Sequence, residues 1–277
     1  MSSIFLCLLA FLFVHTAKAQ VQWLPKETHA DRYKFYFYWG YNRASFAPTN
    51  LHFTGPKYDF SLYDVQAHDR PTPFKPKVYF GPTTLWIPQY NIRMGYFFKP
   101  RWSVSFGVDH MKYVMDANQT LRLSGIITPE ASDKYAGTYL NELKEISPDF
   151  LQFEHSDGLN LSTFEVAYHL PLLNWPTGAI EWYNGLGALW VVTRTDVRVF
   201  GDGLNNDFHV AGYSLSAKSG LRFTFFKRFF FLFENKMGYM SLPSVLIKND
   251  APEIADHNIV FGEKTAALGV RFNFKKP

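Results

Sequence analysis

The amino-acid sequence predicts an all-β chain: an antiparallel, up-and-down transmembrane β-barrel of about eight strands, with short turns at one end and long loops at the other. Three observations predict it. Aromatic residues make up 18% of the 277 residues, with 28 Phe, 16 Tyr and 7 Trp, yet the mean hydropathy is slightly negative. Beyond Gln20 no apolar run approaches the roughly 20 residues that a spanning helix needs. Segments of about ten residues instead alternate polar and apolar side chains, as strands do when one face meets lipid and the other a polar lumen.

The first element is not a strand. Met1 to Ala19 reads as a secretory signal, with an apolar stretch from Ile4 to Val14 and small residues in Ala17-Lys18-Ala19 at the cleavage site. The domain division is therefore 1–19 signal peptide and 20–277 barrel. The one cysteine, Cys7, falls inside the leader, so the mature chain has no thiol, disulfide or cysteine-based metal site. A net charge of +4 without a Lys/Arg block points to no nucleic acid.

The strands follow in order. Tyr33 to about Ala47 is aromatic on both parities until Gly40, Asn42 and Ala44, so its register is open. Trp86 to Phe98 places Trp86, Pro88, Tyr90, Ile92, Met94, Tyr96 and Phe98 opposite Gln89, Asn91, Arg93 and Gly95. After Lys99-Pro100-Arg101 the next strand, Trp102 to about Met115, sets Val104, Phe106 and Val108 against Ser103, Ser105, Gly107 and Asp109. Leu161 to Leu170 opposes Phe164, Val166 and Tyr168 to Glu165 and Ala167; Ala179 to about Thr193 puts Glu181, Gly185 and Gly187 on one parity. His209 to Phe225 is the most regular, with Lys218 and Arg222 among small residues on one face. Phe229 to Tyr239 carries Glu234 and Lys236 inward, and about Ile259 to Phe274 carries Arg271 inward. Short connections at 99–101, 171–178 and 227–228 alternate with long ones at 48–85, 116–160, 194–208 and 241–258. A soluble barrel or sandwich has no reason for that rhythm.

The inward parity holds Arg93, Asp109, Glu165, Glu181, Lys218, Arg222, Glu234, Lys236 and Arg271. Balanced signs favour a salt-bridged plug over an ion path, which shows one dominant sign. The first two loops are long enough to be structured: Tyr58, Phe60, Leu62 and Val65 suggest projecting strands, and Thr138 to Ile146 a short helix. His52, His68 and His155 lie near acids, but no pair has ligand spacing, and no metal or cofactor is expected. Glu154-His155-Ser156 and Asp109-His110 offer catalytic residue types without a lipase motif; adjacent His and Ser on a strand face opposite ways.

The last strand carries a resemblance. Ala267-Leu268-Gly269-Val270-Arg271-Phe272-Asn273-Phe274 resembles the terminal recognition strand of outer-membrane barrels, with Gly269, Phe272 and Phe274 in place. It departs in having Ala267 first and Lys275-Lys276-Pro277 beyond the final aromatic. The mature chain thus looks like the small eight-stranded outer-membrane barrels of Bacteroidetes-type bacteria. That resemblance implies the cell outer membrane, termini in the periplasm, insertion by the barrel-assembly machinery, and contact with outer-membrane lipid and lipopolysaccharide. It implies no chemistry. The function expected is structural, or binding of an external ligand or partner through the long loops, with a lipid-modifying enzyme and a narrow channel as the alternatives.

Overall fold

The computed structural model describes residues 21–27, 33–205, 207–249 and 252–274. The expected signal peptide, Cys7 and Lys275-Lys276-Pro277 lie outside the described residues. In chain order the elements are β1 (Gln22–Trp23), β2 (Phe35–Phe46), β3 (Thr49–Gly55), β4 (Tyr58–Val65), β5 (Ala67–Asp69), α1 (Pro76–Tyr79), β6 (Tyr90–Lys99), β7 (Trp102–Met115), β8 (Gln119–Ile127), β9 (Gly137–Ile146), β10 (Leu151–Trp175), β11 (Gly178–Val199), β12 (Asp202–Gly203), β13 (His209–Phe225), β14 (Phe229–Leu246) and β15 (Ile254–Phe272).

Eight strands close an antiparallel barrel, paired β2–β6–β7–β10–β11–β13–β14–β15 and back to β2. Closure abolishes the free edges that an open sheet exposes. Cross-strand partners fix the stagger. Starting at Phe37, they run through Met94, Phe106, Phe164, Ala188, Leu215, Tyr239 and Val260. Val260 then accepts a backbone hydrogen bond from Ala47, ten residues above the start. Ten residues of stagger over eight strands tilts them by about 40°.

These circuit residues all point outward, into an exposed apolar belt: Leu186, Leu215 and Leu268 are 70, 57 and 61% exposed. With about 3.3 Å per residue and that tilt, the outward run from Ile180 to Trp190 spans about 25 Å, the height of a lipid-facing band. Rings rim it, with Trp102, Tyr168 and Trp182 toward the short turns and Trp190, Tyr213 and Tyr239 toward the long loops. One register row interrupts it: Asn184, Ser219 and Asn235 are direct partners on β11, β13 and β14, and Trp182 Nε1 donates to Ser219 Oγ at 2.9 Å.

Toward the long loops the faces invert. On β10 the inward residues change from His169, Glu165 and Thr163 to Leu161, Leu159, Phe153 and Leu151, while the outward ones change from Tyr168, Val166 and Phe164 to Asn160, Glu154 and Gln152. Leu51, Phe53, Phe60, Leu62, Leu123 and Val245 join this upper apolar core. It is roofed by structure within the long connections: β2 continues past Ala47-Pro48 into β3, β4 is the projecting strand that Tyr58, Phe60, Leu62 and Val65 suggest, and β8 and β9 add to it in turn.

Several boundaries differ from expectation. Residues 138–146 are strand β9, not a short helix. A register shift between Leu123 and Gly125, with Asn141 at φ +60°, brings Tyr139 and Ile146 to the same buried side, which mimics helical spacing. The strand expected from Trp86 starts at Tyr90, because Pro88 has no N–H for the ladder. The connection 171–178 narrows to Pro176-Thr177, since β10 absorbs Pro171 at a bulge and pairs on to Trp175↔Gly178. The open register of the first strand resolves with Tyr36, Tyr38, Gly40 and Asn42 inward.

Candidate functional site

Below the apolar core, charged side chains fill the lumen, and alternation on seven strands delivers them. Glu165 on β10 is the hub: its Oε2 lies 3.0 Å from Arg93 Nη1 and 2.6 Å from Lys218 Nζ, and its Oε1 3.0 Å from Lys236 Nζ. Asp109 pairs with Arg93 at 3.2 Å and also with Lys236. Glu234 meets Lys218 at 2.9 Å and accepts from Tyr183 Oη at 3.0 Å. All these carboxylates and cations are buried. Charges removed from water at this cost persist only when paired and hydrogen bonded. Arg93 illustrates it, donating also to Tyr38 Oη at 3.0 Å and Thr163 Oγ1 at 2.8 Å.

Nearer the short turns lies a second, smaller group. Arg271 pairs with Glu181. Arg222 makes no ion pair among the described residues; its guanidinium instead sits 5.0, 5.1 and 4.7 Å from the ring centres of Tyr36, Tyr183 and Phe230. Such faces attract a desolvated cation. The nine charged residues named from sequence therefore separate into an upper network of Arg93, Asp109, Glu165, Lys218, Glu234 and Lys236, and a lower set of Glu181, Arg222 and Arg271.

Sequence reasoning missed a tenth, Glu263. It accepts from Asn91 Nδ2 at 2.7 Å and lies 4.0 Å from Lys236. Extending the alternation of β15 one step beyond Thr265 would have found it. It also missed Tyr38, hidden because aromatics occupy both faces of β2. Of the terminal signature, Gly269 lies against the ring of Phe230, where a Cβ would come within 2.2 Å, while Phe272 and Phe274 stack outside with Phe35 at 5.8 and 4.8 Å.

The candidate catalytic types are dispersed. His110 turns outward to Asn160 at 2.8 Å while Asp109 turns inward. Glu154 pairs with Arg70 at 2.8 Å. His155 is buried against His257, with Nε2 atoms 3.2 Å apart and Thr195 Oγ1 at 2.9 Å from its Nδ1. Burial pushes the pKa of His155 down to about 3 and that of His257 well below its ordinary value. His52 bridges Asp256 at 2.9 Å and Asp59 at 2.8 Å; partial burial opposes its protonation, but the two carboxylates outweigh that and raise its pKa. His68 pairs with Asp116. Among the described residues no three such side chains converge as metal ligands. A Ser–His contact exists between Ser103 Oγ and His169 Nε2 at 2.9 Å, but both are buried and His169 Nδ1 meets no hydrogen-bond partner among the described residues.

No family model matches the chain, and no curated protein sequence does. Solved structures similar to it include small outer-membrane barrels. OprG from Pseudomonas aeruginosa shares 10% identity over 90% of this chain and 100% of that one, with a TM-score of 0.44. Neisserial surface protein A shares 13% over 86% and 97%, with a TM-score of 0.38, and AlkL in lipid bilayers 8% over 88% and 93%, at 0.34. These are likenesses of overall shape at low identity; the barrel itself rests on this chain's own strand pairing.

Proposed function

We propose that this chain is an outer-membrane β-barrel with a closed lumen, presenting its long-loop end outside the cell as a rigid platform for a ligand or partner. An apolar belt around a charged interior supports the membrane placement, because it reverses the arrangement of a soluble barrel. In this reading the N-terminal leader directs export, and the short turns and both termini face the periplasm. The observation that carries the closed lumen is its double filling. Paired charges occupy the belt level, and an apolar core from Leu51 to Phe261 occupies the level above.

An eight-stranded interior is only wide enough for its own side chains, so a pore would have to displace both of these fillings. The platform is sheet rather than free loop: β3, β4, β8 and β9 continue the barrel wall. Binding there costs little ordering entropy. The test is conductance in planar bilayers with the refolded full chain. No steady current is expected, and a stable opening of nanosiemens scale would refute the closed lumen.

A further inference from the structure

The segment between β5 and β6, residues 70–89, adds no strand to the barrel or its roof, though its ends are tied to the wall: Gln89 Nε2 donates to Asn42 Oδ1 at 3.2 Å and Arg70 pairs with Glu154 at 2.8 Å. It contains Arg70, Lys75 and Lys77 and no acidic residue. Four of its apolar side chains are turned out: Phe74, Phe80, Trp86 and Ile87 are 66, 70, 55 and 45% exposed. It is nevertheless held in place. Tyr41, outward on β2, donates its hydroxyl to the carbonyl of Tyr79 and stacks edge-on against its ring at 4.8 Å. Lys112, outward on β7, donates to Thr72 Oγ1 and to the carbonyl of Ile87, both at 3.3 Å. Tyr79 Oη donates to the carbonyl of Thr72 at 2.7 Å, and Thr84 Oγ1 to that of Lys77 at 2.9 Å.

These anchors fix its level. On β2 the outward residues Phe35, Phe37, Trp39 and Tyr41 give way to Arg43 and Ser45; on β7 Val104, Phe106 and Val108 give way to His110 and Lys112. The segment therefore straddles the long-loop rim of the apolar belt, bonded to the last apolar residue of one strand and the first cation of another. At that rim Arg43 and Lys264 are register partners, and both are exposed. Asp69 is the carboxylate beside them; it accepts from the Ala44 amide at 3.1 Å.

Exposed rings beside exposed ammonium groups at a lipid–water boundary fit a phosphorylated lipid headgroup, the rings entering the acyl region and the cations meeting phosphate. We infer that residues 70–89, with Arg43 and Lys264, form a docking surface for the anionic phospholipid-type headgroups of the leaflet at the long-loop end. Free phosphate would leave Phe74, Phe80 and Trp86 in water, so the lipid-borne group is the occupant. The inference rests on the outer-membrane reading above.

The test uses the full chain refolded into phosphatidylcholine bilayers containing spin-labelled phosphatidic acid or phosphatidylcholine, comparing motionally restricted lipid. Each cation near an anionic surface is worth about fivefold in binding. A preference of about fivefold or more for phosphatidic acid is expected in the parent chain. It should fall toward unity in Arg43→Gln/Lys75→Gln/Lys77→Gln, which leaves the lumen and belt intact. Lipid brominated near the headgroup should quench the parent more than Trp86→Phe. Unchanged preference in the triple variant, or no Trp86 component in the quenching, would overturn the inference, and a protein captured at the segment in place of lipid would also do so. A chain that stayed monodisperse without detergent would instead defeat the membrane reading itself.

Discussion

Replacing Glu165 with Gln tests the lumen network at its hub. The substitution keeps the shape but removes the charge that Arg93, Lys218 and Lys236 share at 2.6–3.0 Å, and turns one of the two accepting oxygens into a donor. Removing one partner from a buried ion pair typically costs about 3–5 kcal/mol, because the other charge is left unpaired out of water. Here three cations would face Asp109, Glu234 and Glu263, which also serve Tyr183 and Asn91. We expect a loss of about 4 kcal/mol, which at a slope near 2 kcal/mol per molar lowers the urea midpoint by about 2 M. The assay is urea unfolding in lipid vesicles, followed by tryptophan fluorescence and by the heat-dependent shift in gel mobility. Adding Lys218→Met removes one orphaned cation, and the double variant should recover at least about half of the loss. A single variant within about 1 kcal/mol of the parent, or a double variant whose losses simply add, would refute the network as the source of stability at this level.

Three further outcomes follow from the same geometry. Stability of the long-loop end should fall with acid: His155 and His257 are held low when buried, whereas in an opened layer they titrate near 6.5, so the open state takes up protons that the closed one refuses. The stabilisation is present above about pH 6.5 and at pH 5 has weakened by about 2 kcal/mol per histidine; hydrogen exchange in β3, β10 and β15 should show this, and His155→Leu/His257→Leu should lose the acid weakening, leaving only the opposite and smaller contribution of His52, whose pKa is raised. Gly269→Ala should destabilise by about 1–3 kcal/mol through the Phe230 ring. Refolding into detergent without any assembly factor should reveal it, and normal stability there would make Gly269 purely a recognition element. Val166→Lys, outward at the belt, should cost about 2–4 kcal/mol in lipid while Gln152→Lys, outward above it, should cost close to nothing; equal costs would remove the belt's meaning.

How much of this was legible in the sequence depended on whether one face of a strand was chemically uniform. On β13, Ser214, Ser216, Lys218, Gly220, Arg222 and Thr224 leave no doubt about which side is which, and the structure places them inward. On β2 the Phe and Tyr residues alternate, and only the extra hydroxyl separates inward Tyr36 and Tyr38 from outward Phe35 and Phe37. Tyr38 thus escaped notice although its hydroxyl holds Arg93. On β9 an inserted residue broke the period of two, so spacing alone favoured the wrong element. The pairing of His155 with His257 joins residues 102 apart in the chain, and no local pattern announces it.

The inversion of β10 near Leu161 to Thr163 has a single physical source. Where the outside meets hydrocarbon, apolar side chains gain nothing by turning inward, and the interior is free to hold paired charge. Where the outside meets water, the hydrophobic effect acts again, and apolar side chains must go inside if the wall is to stay folded. The same strand therefore obeys one rule below Leu161 and the opposite rule above it, and β15 changes over between Phe261 and Glu263. The two fillings of the lumen meet at the level where water begins. Opening a pore through this barrel would require breaking both, one by unpairing buried charge and the other by exposing an apolar core.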